Sequence, residues 1–181
     1  MGGGCLHFFP LTLGRADLAA LTKAYGAEVH GFQVPGALEG ENMKILGKSS
    51  DFPINRQDMT PFLVGQWSGA SQLFAQAQQA GAWVDLELPV PADGKYQIII
   101  YLSGSWDYGI IQLHLNGQKI GDLIDGYHAE TVVCSGAIDL GQVELKKGVN
   151  TLRIEAVGTN PKSAPPHYSW GLDCVSLKPV P

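Results

Sequence analysis

Three acids and a group of loop aromatics carry most of the chemistry this sequence offers. Glu39 and Glu41 share parity with Met43 and Ile45 in the strand-like run 38–46, so all four point to one face. Asp173 shares parity with Val175 and Leu177 in the run 172–177. Carboxylates on core-side parity are costly to bury unless a cation or strong donors satisfy them. Calcium takes such hard oxygen ligands in flexible geometry. Two plainer arrangements stand beside it. The strand ends could splay the acids into solvent, or Arg56 or Arg153 could pair with one of them.

The aromatics Trp67, Trp106, Tyr108, Tyr127, Tyr168 and Trp170 fall in or beside loops, with His128 and His167 next to two of them. A sugar ring has an apolar C–H face and a polar rim. Its binding sites therefore join an aromatic platform to hydrogen-bonding side chains. The segment 103–109, Ser-Gly-Ser-Trp-Asp-Tyr-Gly, is long for a hairpin turn and sets an aromatic–acid–aromatic triplet on a small-residue frame. A ring as large as Trp106 is hard to bury in its own hairpin. Asp107 adds an acceptor and Tyr108 a hydroxyl. The expected ligand set is Trp106, Asp107 and Tyr108 with His167, Tyr168 and Trp170. The alternative is that these rings plug the ends of the fold. Trp170 in particular shares parity with Leu172 and Cys174.

Catalytic signatures are absent from the sequence. There is no Gly-x-Ser-x-Gly, no His-Glu-x-x-His and no phosphate loop. Asp85 and Glu87 face outward on one strand. Asp107, Asp122 and Asp125 sit in loops, which leaves a carboxylate pair for glycoside hydrolysis open without supporting it.

The elements that must position these groups are strands. In 83–90, Val84, Leu86, Leu88 and Val90 alternate with Asp85 and Glu87. Tyr96, Ile98, Ile100 and Leu102 share a face of 96–102, and Ile111, Leu113 and Leu115 share a face of 110–115. Pro-Ala-Asp-Gly at 91–94 and Asn116-Gly117 are turn chemistries between antiparallel strands. Further strands are expected at 38–46, 56–59, 72–76, 138–145, 151–157 and 172–177. Many short strands with almost no helical period predict an all-β antiparallel sandwich of jelly-roll type. The composition agrees, with 23 Gly and 11 Pro among 181 residues and 16% charged. A net charge of −5 argues against nucleic acid and anionic membrane, since both need clustered Lys and Arg. No apolar run reaches membrane-spanning length.

Residues 1–35 read differently. The apolar stretch 6–13 lacks the basic flank of a signal peptide. Asp17 can cap a short helix that Gly26 ends, and Val34-Pro35-Gly36 breaks the chain. This segment is expected to be an arm or the tail of a preceding domain, with a role in homo-oligomerisation, and residues 36–181 the sandwich. Cys5, Cys134 and Cys174 have no zinc spacing. Cys134 and Cys174 read as buried apolar thiols, with a disulfide between them as the alternative.

Several pieces, in order, resemble carbohydrate-binding modules of the galactose-binding-like jelly-roll group, families 6 and 35 most of all. They are Glu39-Gly40-Glu41, Trp67-Ser68-Gly69-Ala70-Ser71, Gly81-Ala82-Trp83-Val84-Asp85-Leu86, Pro91 to Tyr96, and Leu172-Asp173-Cys174-Val175-Ser176-Leu177. The Asp107-Tyr108-Gly109 and Gly171-Leu172-Asp173 pieces also look like sandwich domains appended to bacterial glycoside hydrolases such as family 172. The resemblance covers roughly residues 37–178. It implies a structural calcium on Glu39, Glu41 and Asp173. It also implies a sugar site in loops at one end, built from 103–109 and the segment before the last strand. The familiar Asn of that final segment is absent, and His167-Tyr168-Ser169-Trp170 stands instead.

The leading expectation is a non-catalytic module that binds a polysaccharide or oligosaccharide, extracellular or periplasmic, and attached to a glycan-active enzyme. A structural sandwich for assembly or interdomain contacts is the second reading. A glycoside hydrolase or lyase built on the jelly roll is the third.

Overall fold

Val84, Leu86, Leu88 and Val90 are buried, and Trp83, Asp85, Glu87 and Pro89 between them are not. That alternation is the unit from which the molecule is assembled. A computed structural model describes residues 32–49, 51–62 and 67–181. Its strands are β1 (Leu38–Glu39), β2 (Ile45–Lys48), β3 (Ile54–Asp58), β4 (Ser71–Ala75), β5 (Ala82–Val90) and β6 (Gly94–Gly104). They continue with β7 (Gly109–Leu115), β8 (Gln118–Asp125), β9 (Val133–Cys134), β10 (Ile138–Leu145), β11 (Gly148–Thr159) and β12 (Trp170–Val180). Short 3-10 turns span Gly40–Asn42 and Ser68–Ala70.

The strands form two antiparallel sheets. One has the order β10-β6-β12-β4-β3, with β1 added to β12 and β9 to β6. The other runs β2-β5-β11-β7-β8. Inward residues of both sheets make one core, including Leu86, Leu88, Ile98, Ile100, Leu113, Leu152, Ile154 and Leu172. The all-β antiparallel sandwich is as the alternation predicts.

Some expectations need correction. The 91–94 turn does not join paired strands. It carries the chain from β5 in one sheet to β6 in the other. The Asn116-Gly117 turn does close a hairpin, β7–β8, with positive φ of 50° and 82° at its two residues. β8 was not expected, because it is an edge strand whose single fully buried side chain is Ile120. The run 38–46 is not one strand. The turn Gly40–Asn42 breaks it, so parity does not connect Glu39 and Glu41 to Ile45. An added Cβ at Gly40 would lie 2.8 Å from Leu172 Cγ and 3.0 Å from the Asp173 carbonyl, so only glycine lets the turn press onto β12.

Phe32 to Pro35, expected in the arm, lie against the sandwich. The Gly69 N–H donates to Phe32 O (3.0 Å) and the Val34 N–H to Ser68 Oγ (3.1 Å). The rest of the arm, its expected helix and its role in oligomerisation fall outside the described residues. Among the described residues no helix is long and apolar enough to cross a membrane.

Candidate functional site

Both expected sites lie on the outer face of the seven-stranded sheet, opposite the sandwich core. The first is the acid cluster. In β12, Leu172 pairs with Leu102 and Cys174 with Tyr101, so Asp173 is the extra residue of a bulge. The bulge sits where the neighbour of β12 changes from β4 to β1. It breaks the parity count. Leu172 and Val175 face the core, whereas Asp173 lies with the Glu39-Gly40-Glu41 turn. Asp173 is nonetheless fully buried, because that turn and the segment 67–70 cover it.

Glu39 Oε1 accepts from the Ser68 hydroxyl at 2.7 Å. Both glutamates come close to Gly69: Glu41 Oε1 lies 3.7 Å, and Glu39 Oε2 3.8 Å, from where a Cβ would stand. Asp173 Oδ2 accepts weakly from Cys174 Sγ (3.8 Å) and Cys134 Sγ (3.9 Å). Glu39 Oε2, Glu41 Oε2 and Asp173 Oδ1 are buried with no hydrogen-bond donor among the described residues. Neither arginine resolves this. Arg153 makes a two-pronged pair with Asp85 on the other sheet, and Arg56 donates to Ser71 Oγ.

Burial, then the charges of Glu39 and Glu41, push the Asp173 carboxyl up to about 7, against an opposing hydrogen bond from the Ser68 backbone. Burial first, with help from Glu39, also raises Glu41. The Cys174 thiol is raised by burial and by Asp173 and Glu39, and the Cys134 thiol mainly by burial. Both thiols are free. They sit on β9 and β12, which flank β6 on opposite sides, so strand β6 stands between them and no disulfide links them.

The second site is a hollow around Trp106. Strand β6 continues to Gly104 and Ser105 bridges Tyr127, so the turn is tighter than expected and holds just Trp106 and Asp107 at its tip. Trp106 is 47% exposed, whereas Trp67 and Trp170 are buried. Trp83 is half-covered, with the Arg153 guanidinium 3.9 Å from its ring centroid. The hollow holds about 120 Å³ and is lined by Trp106, Asp107, Tyr108, Phe74, Phe62 and Gln57, with Ser105 and Val132. Pockets that enclose a ligand run to ~300–1,000 Å³, so this one is a surface depression.

Beneath it runs a chain of buried hydrogen bonds. Trp67 Nε1 donates to Ser103 Oγ (2.8 Å), and Ser103 Oγ donates to Gln72 Oε1. Gln72 Nε2 donates to Gln57 Oε1 (2.7 Å) and to the Tyr108 hydroxyl (3.2 Å). The Tyr108 ring stacks on Phe74 with centroids 5.9 Å apart. Gly171 makes room for Gln72, since an added Cβ would stand 2.7 Å from Gln72 Cδ. Gln72 holds the Gln57 carbonyl, and the Gln57 amide N–H groups have no partner among the described residues. Asp107 Oδ1 accepts from Ser105 Oγ at 2.7 Å, which leaves Oδ2 as an acceptor.

The expected residues divide accordingly. Trp106 and Asp107 are at the surface. Tyr108 lines the hollow but is buried, and burial raises its hydroxyl well above the usual range. Trp170 is a core residue, so it offers no stacking face. The 163–169 segment does meet the Trp106 loop, by Ala164 N–H to Trp106 O (2.8 Å), Gly109 N–H to Ser169 O (2.9 Å) and Ser163 Oγ to Tyr108 O (3.0 Å). His167 and Tyr168 do not line the hollow. His167 closes a turn onto Ala164 with φ of 70°, and Tyr168 packs against the core. Gln57, Phe62 and Phe74 were missed. The readable signal was Phe74, a large aromatic with the outward parity of Gln72 in β4.

No family model matches the sequence, and no curated protein matches it. Solved structures do. A Paenibacillus xanthan lyase is similar over 82% of this chain and 14% of its own, with 21% identity and a TM-score of 0.69. A Podospora anserina β-(1,4)-mannanase, joining glycoside hydrolase family 26 to a family 35 carbohydrate-binding module, is similar over 80% of this chain and 27% of its own. There the identity is 14% and the TM-score 0.50. A family 35 carbohydrate-binding module from an environmental isolate is similar over 78% of this chain and 91% of its own, at 12% identity and a TM-score of 0.52. The chain thus spans a small part of each of the two enzymes and most of the isolated module. Identities this low speak for architecture alone: the chain shares the antiparallel β-sandwich fold of these structures.

Proposed function

We propose that the sandwich is a non-catalytic carbohydrate-binding module of an extracellular or periplasmic glycan-active protein. The observation that carries this reading is the half-exposed Trp106 ring, flanked by an acceptor on Asp107 and a donor on Gln57 and set on a bonded, buried frame. A neutral sugar stacked on Trp106 would meet both hydrogen-bonding groups. His167 and Tyr168 lie in the segment whose Ser163, Ala164 and Ser169 hold this loop. The likeness to a family 35 module supports the reading at the level of fold.

Calcium belongs to the same proposal. The three buried oxygens on Glu39, Glu41 and Asp173 that lack donors among the described residues fit a hard cation. Calcium there would neutralise a cluster that is otherwise costly, and so pin β1 and the Gly40–Asn42 turn to β12. It does not touch the hollow, so its role is structural.

The test is a glycan array probed with the full chain and with Trp106→Ala. Retention of the wild type on a glycan that the variant no longer holds supports the proposal. A wild type that binds no glycan, with calcium supplied, contradicts it.

A further inference from the structure

The acid cluster contains a group that calcium would not use. Glu39, Asp173 and Cys174 each offer a ligand atom, and these lie within 4.8 Å of one another. A regular strand sends successive side chains to opposite faces. The bulge at Asp173 breaks this rule and lets consecutive residues, Asp173 and Cys174, serve one point. Asp173 is fully buried, and its Oδ1 has no donor among the described residues. Cys134 Sγ approaches the same carboxylate from the far side of β6, 3.9 Å from Oδ2.

Hardness and softness pull this donor set in two directions. Carboxylate oxygens suit calcium, whereas thiolate suits zinc and its heavier congener cadmium. Zinc sites use bonds of about 2.3 Å to sulfur and about 2.0–2.2 Å to oxygen. Tetrahedral ligand atoms then stand roughly 3.5 Å apart. Cys174 Sγ and Asp173 Oδ2 are already 3.8 Å apart. Closing the rest of the set needs movement on the order of 1 Å, available from the half-buried Glu39 side chain.

We propose that Glu39, Asp173 and Cys174 form a mixed carboxylate–thiolate site for a zinc-class divalent cation, in competition with calcium for the carboxylates. On binding, the Cys174 thiol loses its proton to solvent and the sulfur takes the metal in its place. Two carboxylates and one thiolate then face two positive charges. Cys134 stands where a further sulfur donor could join. The inference rests on the cluster being a cation site, but not on sugar binding.

The experiment uses the full-length chain with Cys5→Ser, which leaves Cys134 and Cys174 as its thiols. Metal-free protein is titrated with cadmium, following the ultraviolet charge-transfer band of a cadmium–thiolate bond, and then with zinc. The expected result is a band that saturates at one equivalent, is displaced by zinc and is lost in Cys174→Ser. Zinc affinity in that variant should fall at least roughly 100-fold, while calcium still raises its melting temperature. Cys134→Ser should keep the band. Because Cys174 is buried, Glu39→Gln supplies a second arm, weakening zinc with both thiols in place. The inference is overturned, with calcium untouched, if calcium binds but cadmium gives no band. A band that survives Cys174→Ser, or zinc affinity unchanged by Glu39→Gln, overturns it too. If neither calcium nor zinc binds, the cation reading falls with it.

Discussion

Beneath Trp106, the buried side chains of Trp67, Ser103, Gln72 and Tyr108 and the half-buried Gln57 are tied in one run of hydrogen bonds. Around Asp173, on the same outer face, three carboxylate oxygens are buried with no donor among the described residues. The hollow therefore has what it needs before any ligand arrives. The cluster does not: its carboxylates are left to protonation, which the raised Asp173 carboxyl favours, or to a cation. A ligand at the hollow should change affinity and leave the fold alone. A ligand at the cluster should change the fold's stability and leave the sugar surface alone. Each variant below tests whether the two regions separate in this way.

The largest effect is expected from calcium. A cation at about a thousandfold over its Kd that binds only the folded state adds about 4 kcal/mol. For a domain of this size chelation should then lower Tm by about 10 °C. Asp173→Asn should melt alike with and without chelator. Equal melting of metal-free and calcium-loaded wild type would break the comparison at its root.

The next effect is in pH, measured on the metal-free chain. Asp173 titrates near 7 when folded, against 3.8 as its ordinary value. Its folded pKa is raised, so its stabilising contribution is full below about pH 4 and is lost as pH rises through 7. Metal-free protein should thus melt several degrees lower at pH 8 than at pH 5. In Asp173→Asn that difference should shrink. Calcium should reverse the slope, because it binds the charged form. A metal-free Tm that rises from pH 5 to 8 and is unaltered by Asp173→Asn would show that burial of this carboxylate costs nothing.

Gln72→Ala comes third and probes the frame of the hollow. It strips partners from Ser103, Gln57 and Tyr108, and a buried polar group left without a partner costs about 1–3 kcal/mol. Urea denaturation should show a loss of that order, with weaker sugar binding as a consequence. Unchanged stability would mean that the hydrogen-bonded run does not support the hollow.

The two regions were not equally readable in the sequence. The alternation in β5, β6 and β11 is regular, so the sandwich and most of its strands followed from parity. Parity failed at Asp173, because a bulge adds one residue and where it falls depends on which strands pair on either side. It failed again at Glu41, where Gly40 allows a turn whose reason is a carbonyl on a distant strand. Parity and the family resemblance together grouped Glu39, Glu41 and Asp173, although the face that parity assigned was wrong. Trp106 was legible because Gly and Ser frame it. The burial of Tyr108 was not, since the neighbours that bury it come from β4 and the 163–169 segment, whereas the parity of Trp170 with Leu172 already allowed a core position. Gln57 and Phe74 could be found only by asking which outward side chains of β3 and β4 end up beside the loop.

The most direct test of the central claim is the affinity of the full chain for the glycan it retains, wild type against Trp106→Ala, with Tm recorded for both. Loss of a stacking ring at a binding hot spot should cost about 1–3 kcal/mol of affinity. The half-exposed ring should cost stability no more than about 0.5 kcal/mol. A weaker complex with an unchanged Tm is the expected result. Undiminished affinity would remove Trp106 from the site, and a large fall in Tm would make it part of the core instead.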